Sequence, residues 1–162
     1  MVLACRNTGK GEHAAESIRR DHPRARLQVL SLDLAELASV SKFADDFAQN
    51  HARLDMLVNN AGVMALPLCR TADGFEMQVG TNHLGHFALT GHLLASLLNT
   101  PRWRVVTVSS LAHTVGRIDM HDLNWQHRRY RRWPAYGQAK LANLIFAFEL
   151  DRRLRAANAE TI

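Results

Sequence analysis

The stretch DMLVNNAG, residues 55–62, joins a short apolar run to a turn that contains two asparagines and a glycine. The apolar residues predict a strand over Leu54–Val58, since continuous apolar runs are typical of strands that a parallel sheet covers on both faces. The turn Asn59–Gly62 follows that strand directly. A polar turn of this kind after a buried strand is a specific signal, and we interpret the rest of the chain outward from it.

The segments on both sides alternate between predicted strands and helices. Upstream lie the strand Val2–Cys5, the helix Lys10–Asp21, the strand Leu27–Leu32 and the helix Leu37–Gln49. Downstream lie the helix Gly74–Leu98, the strand Trp103–Ser109, a polar loop from Gly116 to Trp133, and a helix that Pro134 opens and that ends near Ala157. This alternation, with connections of a few residues, predicts an α/β fold with a parallel sheet. We expect residues 1–162 to form one domain.

Composition narrows the class of protein. The chain has 162 residues, of which 47% are hydrophobic and 22% charged, and these values exclude a disordered or fibrous protein. No apolar stretch is long enough to cross a bilayer. Two cysteines, Cys5 and Cys69, cannot form a disulfide framework, so we expect a reducing, cytoplasmic location. Much of the net charge of +5 lies in His127–Arg132, which is a weak indication of an anionic partner such as NADP.

Glycines mark two further places. The segment GKGEHA, residues 9–14, fits a dinucleotide-binding pattern, and Asp33 follows about twenty residues later. We interpret it as a turn into a helix, because Arg6 stands where the tight phosphate-binding turn would begin. Gly80, Gly85 and Gly91 weaken the long helix, and they suggest close packing against a neighbour or a cofactor.

Four polar residues lie on the predicted elements in an order that suits carbonyl chemistry. Asn82 lies in the long helix and Ser110 ends the fourth strand, while Tyr136 and Lys140 are four residues apart and share one helix face. A tyrosine is a poor base at neutral pH, but a nearby lysine cation favours its phenolate form. A serine hydroxyl at the end of a strand can hold the substrate oxygen. The Asn82 amide can hold backbone or water on a proton path.

Together these motifs resemble the short-chain dehydrogenase/reductase family. The resemblance runs through essentially the whole chain: LACR at 3–6, LDL at 32–34, Asn59–Gly62, Asn82, Ser110 and Tyr136 with Lys140. It implies a Rossmann-like doubly wound parallel sheet and an oxidoreductase that interconverts an alcohol and a carbonyl. The segment NHLGHF, residues 82–87, and the long insert before Tyr136 resemble the retinol-dehydrogenase-like branch, which implies an apolar small-molecule substrate.

The resemblance also implies a role for each matching residue. Tyr136 would be the general acid/base, Lys140 would lower its pKa and bind the nicotinamide ribose, and Asn82 would support a water relay. Ser110, rather than Ser109, matches the position that orients the substrate.

The same comparison implies the cofactor contacts. Asp33 and Leu34 match positions beside the adenine, and Asn60, Ala61 and Gly62 match positions beside the adenosine ribose. Arg6 matches a position where a basic residue favours the 2′-phosphate, because a guanidinium pairs well with phosphate. NADP is therefore the expected cofactor and NAD the second option.

The chain departs from the family pattern at both ends. The family opens with a strand and a glycine-rich loop before the element that starts here at Met1, and its later strands and substrate-covering loop do not follow. We therefore expect an incomplete sheet, in which a trench separates strand edges that lack partners. We expect either an internal fragment of a longer protein or a mis-started reading frame. Such a chain should bind the cofactor weakly and be marginally stable or prone to associate.

Three other interpretations of the sequence concern a nucleic-acid site, a metal site and an inactive partner. The basic run from His127 to Trp133 interleaves aromatics and could bind single-stranded nucleic acid, although we expect an exposed loop and no nucleic acid. His83 and His86 could suggest a metal, but no third ligand has convincing spacing, so none is expected. An inactive partner that forms a homo-oligomer through the two long helices is the alternative function; its candidate contact residues are Leu141, Leu144, Ile145 and Phe148.

Overall fold

The computed structural model, which describes residues 1–157 and residue 159, confirms an α/β fold in which strands alternate with helices. The elements are β1 (Val2–Cys5), α1 (Thr8–Asp21), β2 (Gln28–Ser31), α2 (Leu37–Asn50), β3 (Met56–Asn59), α3 (Met77–Val79), a π-helical segment (Gly80–Leu84), α4 (Gly85–Leu98), β4 (Arg104–Thr107), a 3-10 turn (Leu111–Val115) and α5 (Arg132–Ala156). Among the helices described, none is both long and apolar enough to span a membrane.

The strands form two separate parallel pairs instead of one continuous sheet. β1 pairs with β2, with Val2 opposite Gln28, and β3 pairs with β4, with Met56 opposite Arg104. A cavity of about 1020 Å³ is lined by both β1 and β3. In the described part of the chain, each of these two strands therefore has one edge without a strand partner. The expected trench is confirmed.

One apolar core connects the two strand pairs. Its α2 side consists of the predicted apolar face, Val40, Phe43, Ala44 and Phe47, all of which are buried. Its other members come from the segment after β2, from β3, from α4, from the residue before β4 and from the end of α5; they are Leu32, Leu34, Leu57, Leu89, Leu93, Leu97, Trp103 and Leu154. Because β1 and α1 contribute no buried side chain to this core, they are attached to it mainly through β2.

The prediction of one long helix over Gly74–Leu98 is wrong in two respects. The helix begins later than predicted, and it is not a regular α-helix throughout. The helix begins at Met77, where the Glu76 carboxylate accepts hydrogen bonds from the amides of Gln78 and Val79. Gly74 lies before it in a turn, with a φ of +84° that favours glycine. A π-helical segment follows, in which the next helix's first N–H bonds to the carbonyl five residues earlier.

The three glycines of that helix differ in their surroundings. A Cβ at Gly85 would lie 2.4 Å from the carbonyl oxygen of Leu34, so this glycine permits the approach of the segment after β2. Gly80 is similarly close to Thr71. Nothing lies within 4 Å of a Cβ at Gly91, so the expectation of close packing is wrong there.

Other helices and strands also begin or end at residues different from the predicted ones. α1 begins at Thr8, and Asn7 caps it by accepting from the amide of Lys10 at 2.9 Å, so the GKGEHA segment is helical and not a phosphate loop. α5 begins at Arg132, two residues before Pro134. β4 ends at Thr107, so Ser110 follows the strand instead of ending it, and the interval before α5 contains a 3-10 turn.

Candidate active site

Tyr136 and Lys140 lie in the first turns of α5, on one face of the helix. The Lys140 side chain is buried, and its Nζ lies 5.7 Å from the centre of the half-buried Tyr136 ring. Gly137 lets the segment after β4 approach this turn, since a Cβ there would meet the carbonyl oxygen of Ala112 at 2.6 Å. The structure thus brings the end of β4 and the start of α5 together.

Lys140 is held by backbone and not by a carboxylate. Its Nζ donates to the carbonyl oxygen of Val108 at 3.0 Å, and Asn143 Nδ2 donates to the same oxygen at 3.3 Å. None of the ion pairs found among the described residues includes Lys140. Burial lowers the pKa of its ammonium. Its positive charge is therefore exposed to little solvent and faces the Tyr136 ring.

The two serines after β4 have different partners. Ser109 Oγ donates to the carbonyl oxygen of Lys140 at 2.8 Å, which uses its hydrogen within the protein. Ser110 Oγ accepts from the amide of Ala112 at 3.2 Å and caps the 3-10 turn. The hydroxyl hydrogen of Ser110 is not used in that bond. This geometry favours Ser110 as the group that can donate to a substrate oxygen.

Asn82 is fully buried in the π-helical segment, and its amide holds backbone. Its Oδ1 accepts from the amide of Val63 at 2.7 Å, and its Nδ2 donates to the Val63 carbonyl at 2.8 Å. The Asn82 carbonyl lies 3.0 Å from Nδ1 of His86. Of the two possibilities for the amide, backbone or water, the structure shows backbone. These two hydrogen bonds with Val63 fix the position of the segment that follows the Asn59–Gly62 turn.

The predicted cofactor residues divide into two groups. Arg6, Leu34, Asn60 and Ala61 line the cavity between β1 and β3, at the carboxyl ends of strands. Arg6 is exposed and takes part in none of the ion pairs of the described chain.

The other four, Asp33, Gly62, Tyr136 and Lys140, are not among the lining residues of that cavity. Asp33 Oδ1 accepts from the Ala35 amide at 2.9 Å, and Gly62 lies against the Asn82 amide. The structure therefore assigns Asp33 a turn-forming bond in addition to any ligand contact.

Two histidines, His83 and His86, lie near the buried side chain of Lys140. Burial lowers the pKa of His83 although its hydrogen bond with Asn143, at 3.1 Å between Nδ1 and Oδ1, raises it. Burial also lowers the pKa of His86; the bond with the Asn82 carbonyl opposes this, and the charges of Lys140 and His83 reinforce it. No cluster of three or more metal-ligating side chains occurs in the part of the chain described.

A buried polar cluster around the Tyr130 hydroxyl was not predicted from the sequence. The Tyr130 hydroxyl lies 2.9 Å from Glu76 Oε1 and 3.1 Å from the Leu66 carbonyl, and it accepts from Gln78 Nε2 at 2.9 Å. Burial, and then the charge of Glu76, raise the pKa of Tyr130 to about 12. Tyr130 is more than fifty residues away from each of its partners in the sequence, so no local pattern could have revealed the cluster. Asn143, three residues after Lys140, could have been found by helical spacing.

This cluster also changes the interpretation of the basic run. The Tyr130 hydroxyl is engaged inside the protein, and Arg128 covers the buried Trp125 ring, 3.7 Å from its centre. Only Trp133 among these aromatics is exposed. The run does not present the row of stacking surfaces on which the nucleic-acid interpretation depended.

Comparisons with known proteins agree with the fold and the motif order. The family model of short chain dehydrogenases matches residues 1–122. Retinol dehydrogenase 13 of Homo sapiens is 48% identical over 97% of this chain and 47% of its own length, and human retinol dehydrogenase 12 is 46% identical over 99% and 51%. The chain spans about half the length of the curated relatives it matches.

Comparison with solved structures also finds proteins with the same fold. An uncharacterized protein from Mycobacterium Paratuberculosis matches with a TM-score of 0.88 at 52% identity, over 99% of this chain and 55% of that one. A short chain dehydrogenase from Escherichia coli CFT073 complexed with NADPH has a TM-score of 0.73 at 24% identity, over 96% and 61%, and shares the fold. The chain therefore belongs to the short chain dehydrogenase family, and it is similar to retinol dehydrogenases.

Proposed function

We propose that this chain carries the acid–base and substrate-orienting groups of an NADP-dependent oxidoreductase that interconverts an alcohol and a carbonyl on an apolar substrate. The observation that carries the proposal is the buried Lys140 ammonium beside the Tyr136 ring, without a carboxylate partner among the described residues. A tyrosine hydroxyl with a buried ammonium beside its ring is the arrangement of groups that acid–base chemistry on a carbonyl can use.

Each polar group then has one task. In the direction of reduction, the Tyr136 hydroxyl donates its proton to the carbonyl oxygen, and in oxidation it takes the proton from the alcohol. The Ser110 hydroxyl donates a hydrogen bond to the same oxygen and holds it in place. Lys140 places its ammonium beside the Tyr136 ring, and Asn82 holds the neighbouring turn through Val63. NADP(H), when bound, supplies or accepts the hydride.

The cavity residues fit that cofactor in charge and position. The exposed Arg6 guanidinium at the carboxyl end of β1 suits the 2′-phosphate, and Asn60 and Ala61 at the end of β3 suit the adenosine ribose. By the family resemblance, Asp33 and Leu34 would lie beside the adenine and Gly62 beside the adenosine ribose. Tyr136 and Lys140 would hold the nicotinamide ribose. The Escherichia coli short chain dehydrogenase that shares this fold was solved as a complex with NADPH. An apolar substrate is supported by the similarity to retinol dehydrogenases.

The proposal is tested by titrating the purified chain with NADPH and NADH and following cofactor fluorescence. NADPH should bind more tightly, and Arg6→Ala should weaken it about 10- to 100-fold, because a hydrogen bond to a charged group contributes about 1.5–3 kcal/mol. Arg24→Ala is the matched control, since this arginine is also exposed but lies between α1 and β2, away from the cavity. Tyr136→Phe should abolish turnover and weaken NADPH binding far less than it lowers turnover, because it removes the acid/base hydroxyl but only one of the groups that would hold the cofactor.

Equal affinity for the two cofactors, unaffected by Arg6→Ala, would contradict the NADP assignment.

The alternative function is that of an inactive partner that associates through its long helices. It is favoured by one observation, the exposure of Phe87, Ile145 and Phe148 on α4 and α5. A concentration-dependent dimer, without cofactor binding, would support that alternative.

A further inference from the structure

A chain of hydrogen bonds joins His83 to the carbonyl group that holds Lys140. His83 Nδ1 lies 3.1 Å from Asn143 Oδ1. Asn143 Nδ2 donates to the carbonyl oxygen of Val108 at 3.3 Å, and Lys140 Nζ donates to the same oxygen at 3.0 Å. Neither His83 nor Asn143 has a task in the proposed reaction, although both belong to the hydrogen-bonded chain that ends at the Lys140 ammonium.

The direction of each bond in this chain is fixed by what the groups can donate. A backbone carbonyl only accepts, so the Asn143 amide must turn Nδ2 toward Val108 and leave Oδ1 toward His83. That amide oxygen also only accepts, so the hydrogen between the two side chains belongs to His83 Nδ1. Burial lowers the pKa of His83, which favours the neutral ring with a single hydrogen. His83 therefore decides which way the Asn143 amide points.

Few other groups can replace these bonds. Asn143 exposes 2% and Lys140 exposes 4% of its surface. The His83 ring contacts the rings of Phe87 and Phe146, with 6.1 and 6.2 Å between ring centres. Among the described residues, the Val108 carbonyl is the only acceptor within hydrogen-bond distance of the Lys140 ammonium. The place of the ammonium therefore depends on where this carbonyl is held.

The Val108 peptide is held from two sides. The Val108 amide donates to the Asn59 carbonyl at 3.0 Å, which joins it to the end of β3. The Val108 oxygen has two lone pairs, and Asn143 and Lys140 each use one. A lysine side chain is a flexible four-carbon stem, so it cannot fix the carbonyl by itself. Asn143, with the shorter side chain, supplies the second and less flexible contact.

We propose that Asn143 and His83 are positioning residues, which hold the Lys140 ammonium beside the Tyr136 ring through the shared Val108 carbonyl. Their effect on catalysis rests on the proposed function, in which Lys140 lies beside the acid/base. Misplacing a reacting group by about 1 Å can cost about 100-fold in rate, even when the change lies away from the chemistry. Loss of either residue should therefore lower kcat more than it changes KM for the carbonyl substrate.

The lysine composition of the chain allows a direct test of how Lys140 is held. The chain has three lysines, and Lys10 and Lys42 are exposed whereas Lys140 is buried. Hydrogens exchange with water slowly where they are buried and hydrogen-bonded, and quickly where they are exposed. With isotopically labelled lysine, the NMR spectrum of the purified chain should therefore show one slowly exchanging Nζ signal. Lys140→Arg should remove that signal.

Two substitutions of His83 separate hydrogen bonding from packing. His83→Phe keeps an aromatic ring against Phe87 and Phe146 but has no N–H group. His83→Asn loses the ring but carries an N–H group at the same number of bonds from the backbone. Exchange of the Lys140 ammonium hydrogens should become about tenfold faster in His83→Phe, the effect expected for one lost hydrogen bond, and stay close to the parent value in His83→Asn.

Asn143→Leu tests the second member of the chain. It removes both bonds of the amide in a side chain of similar size, so exchange should be at least as fast as in His83→Phe. Combining the two substitutions should add nothing further, since residues of one hydrogen-bonded chain are not additive. His92→Phe is the matched control, because His92 is an exposed histidine of α4, and it should leave the signal unchanged. Circular dichroism checks that each variant is folded.

The catalytic part of the proposal is measured with NADPH and octanal as the carbonyl substrate. His83→Phe and Asn143→Leu should lower kcat about 10- to 100-fold and change KM for octanal little, whereas His83→Asn should keep most of the activity. A residue that only stabilises the fold would lower the amount of folded chain without this difference between the two substitutions of His83.

Three results would overturn the inference. They are a Lys140 signal that exchanges at the parent rate in Asn143→Leu, equally accelerated exchange in His83→Phe and His83→Asn, and turnover that none of these substitutions changes. A parent chain without NADPH binding or turnover would refute the proposed function alone, because the exchange measurements still decide whether His83 and Asn143 hold Lys140.

Discussion

Helices α1 and α5 each pack beside a two-stranded parallel sheet, but they differ in what they bury. α1 buries only Gly11 and Ala15, and β1 and β2 have no fully buried residue. α5 buries eight residues, among them Gln138, Lys140 and Asn143. We call residues 1–31 the amino-terminal region and residues 56–156 the carboxyl-terminal region.

Hydrogen bonding between distant segments explains the difference. A buried polar group must find a partner, because leaving it without one costs free energy. In the carboxyl-terminal region Lys140 and Asn143 share the Val108 carbonyl, and Asn82 holds Val63. The amino-terminal region instead borders the cavity with the unpaired edge of β1. The region with the candidate acid–base groups therefore has more buried hydrogen bonds between distant segments than the region with Arg6.

The largest expected effect compares a core leucine with an isoleucine of α1. Leu93→Ala, in α4, removes a fully buried side chain and should lower the free energy of unfolding by about 2–5 kcal/mol. Ile18→Ala, in α1, removes a half-buried side chain outside the core and should cost clearly less. Urea unfolding followed by circular dichroism gives both values. Equal losses would mean that the two regions are equally well packed.

A smaller effect concerns the contact that joins the segment after β2 to α4. Gly85→Ala places a methyl group 2.4 Å from the Leu34 carbonyl oxygen, so the backbone must move, at a cost of about 1–3 kcal/mol. Gly91→Ala is the control in the same helix, where nothing lies within 4 Å of the added carbon. It should stabilise the protein by about 0.5–1 kcal/mol through helix propensity. Thermal unfolding of the two variants distinguishes the signs.

The smallest effect is a pH dependence located in the carboxyl-terminal region. Burial lowers the pKa of His83 and His86 in the folded chain, so the unfolded chain binds protons first as the pH falls. Stability is therefore present above about pH 6.5, the ordinary pKa of histidine, and decreases as the pH falls below it. Unfolding midpoints at pH 7.5 and 5.5 should differ, and less so in His86→Gln. An identical difference in that variant would exclude His86 as a contributor.

Local patterns predicted the candidate residues better than their partners. The spacing of Tyr136 and Lys140 indicated a shared helix face, which the structure has. The Val108 carbonyl as the partner of Lys140 could not be predicted, because it depends on how β4 meets α5. The preference for Ser110 over Ser109 came from the family resemblance, and the hydrogen bond of Ser109 to the Lys140 carbonyl now gives it a physical reason. The roles of these residues stay predictions.

The sequence by itself determined the order of strands and helices, because hydrophobic periodicity and turn residues act over a few positions. It also determined which side chains could perform the chemistry. Only the tertiary structure decided the π-helical segment around Asn82 and the buried cluster of Tyr130 with Glu76. Each of these depends on contacts between residues far apart in the chain, where packing and hydrogen-bond satisfaction override local preference.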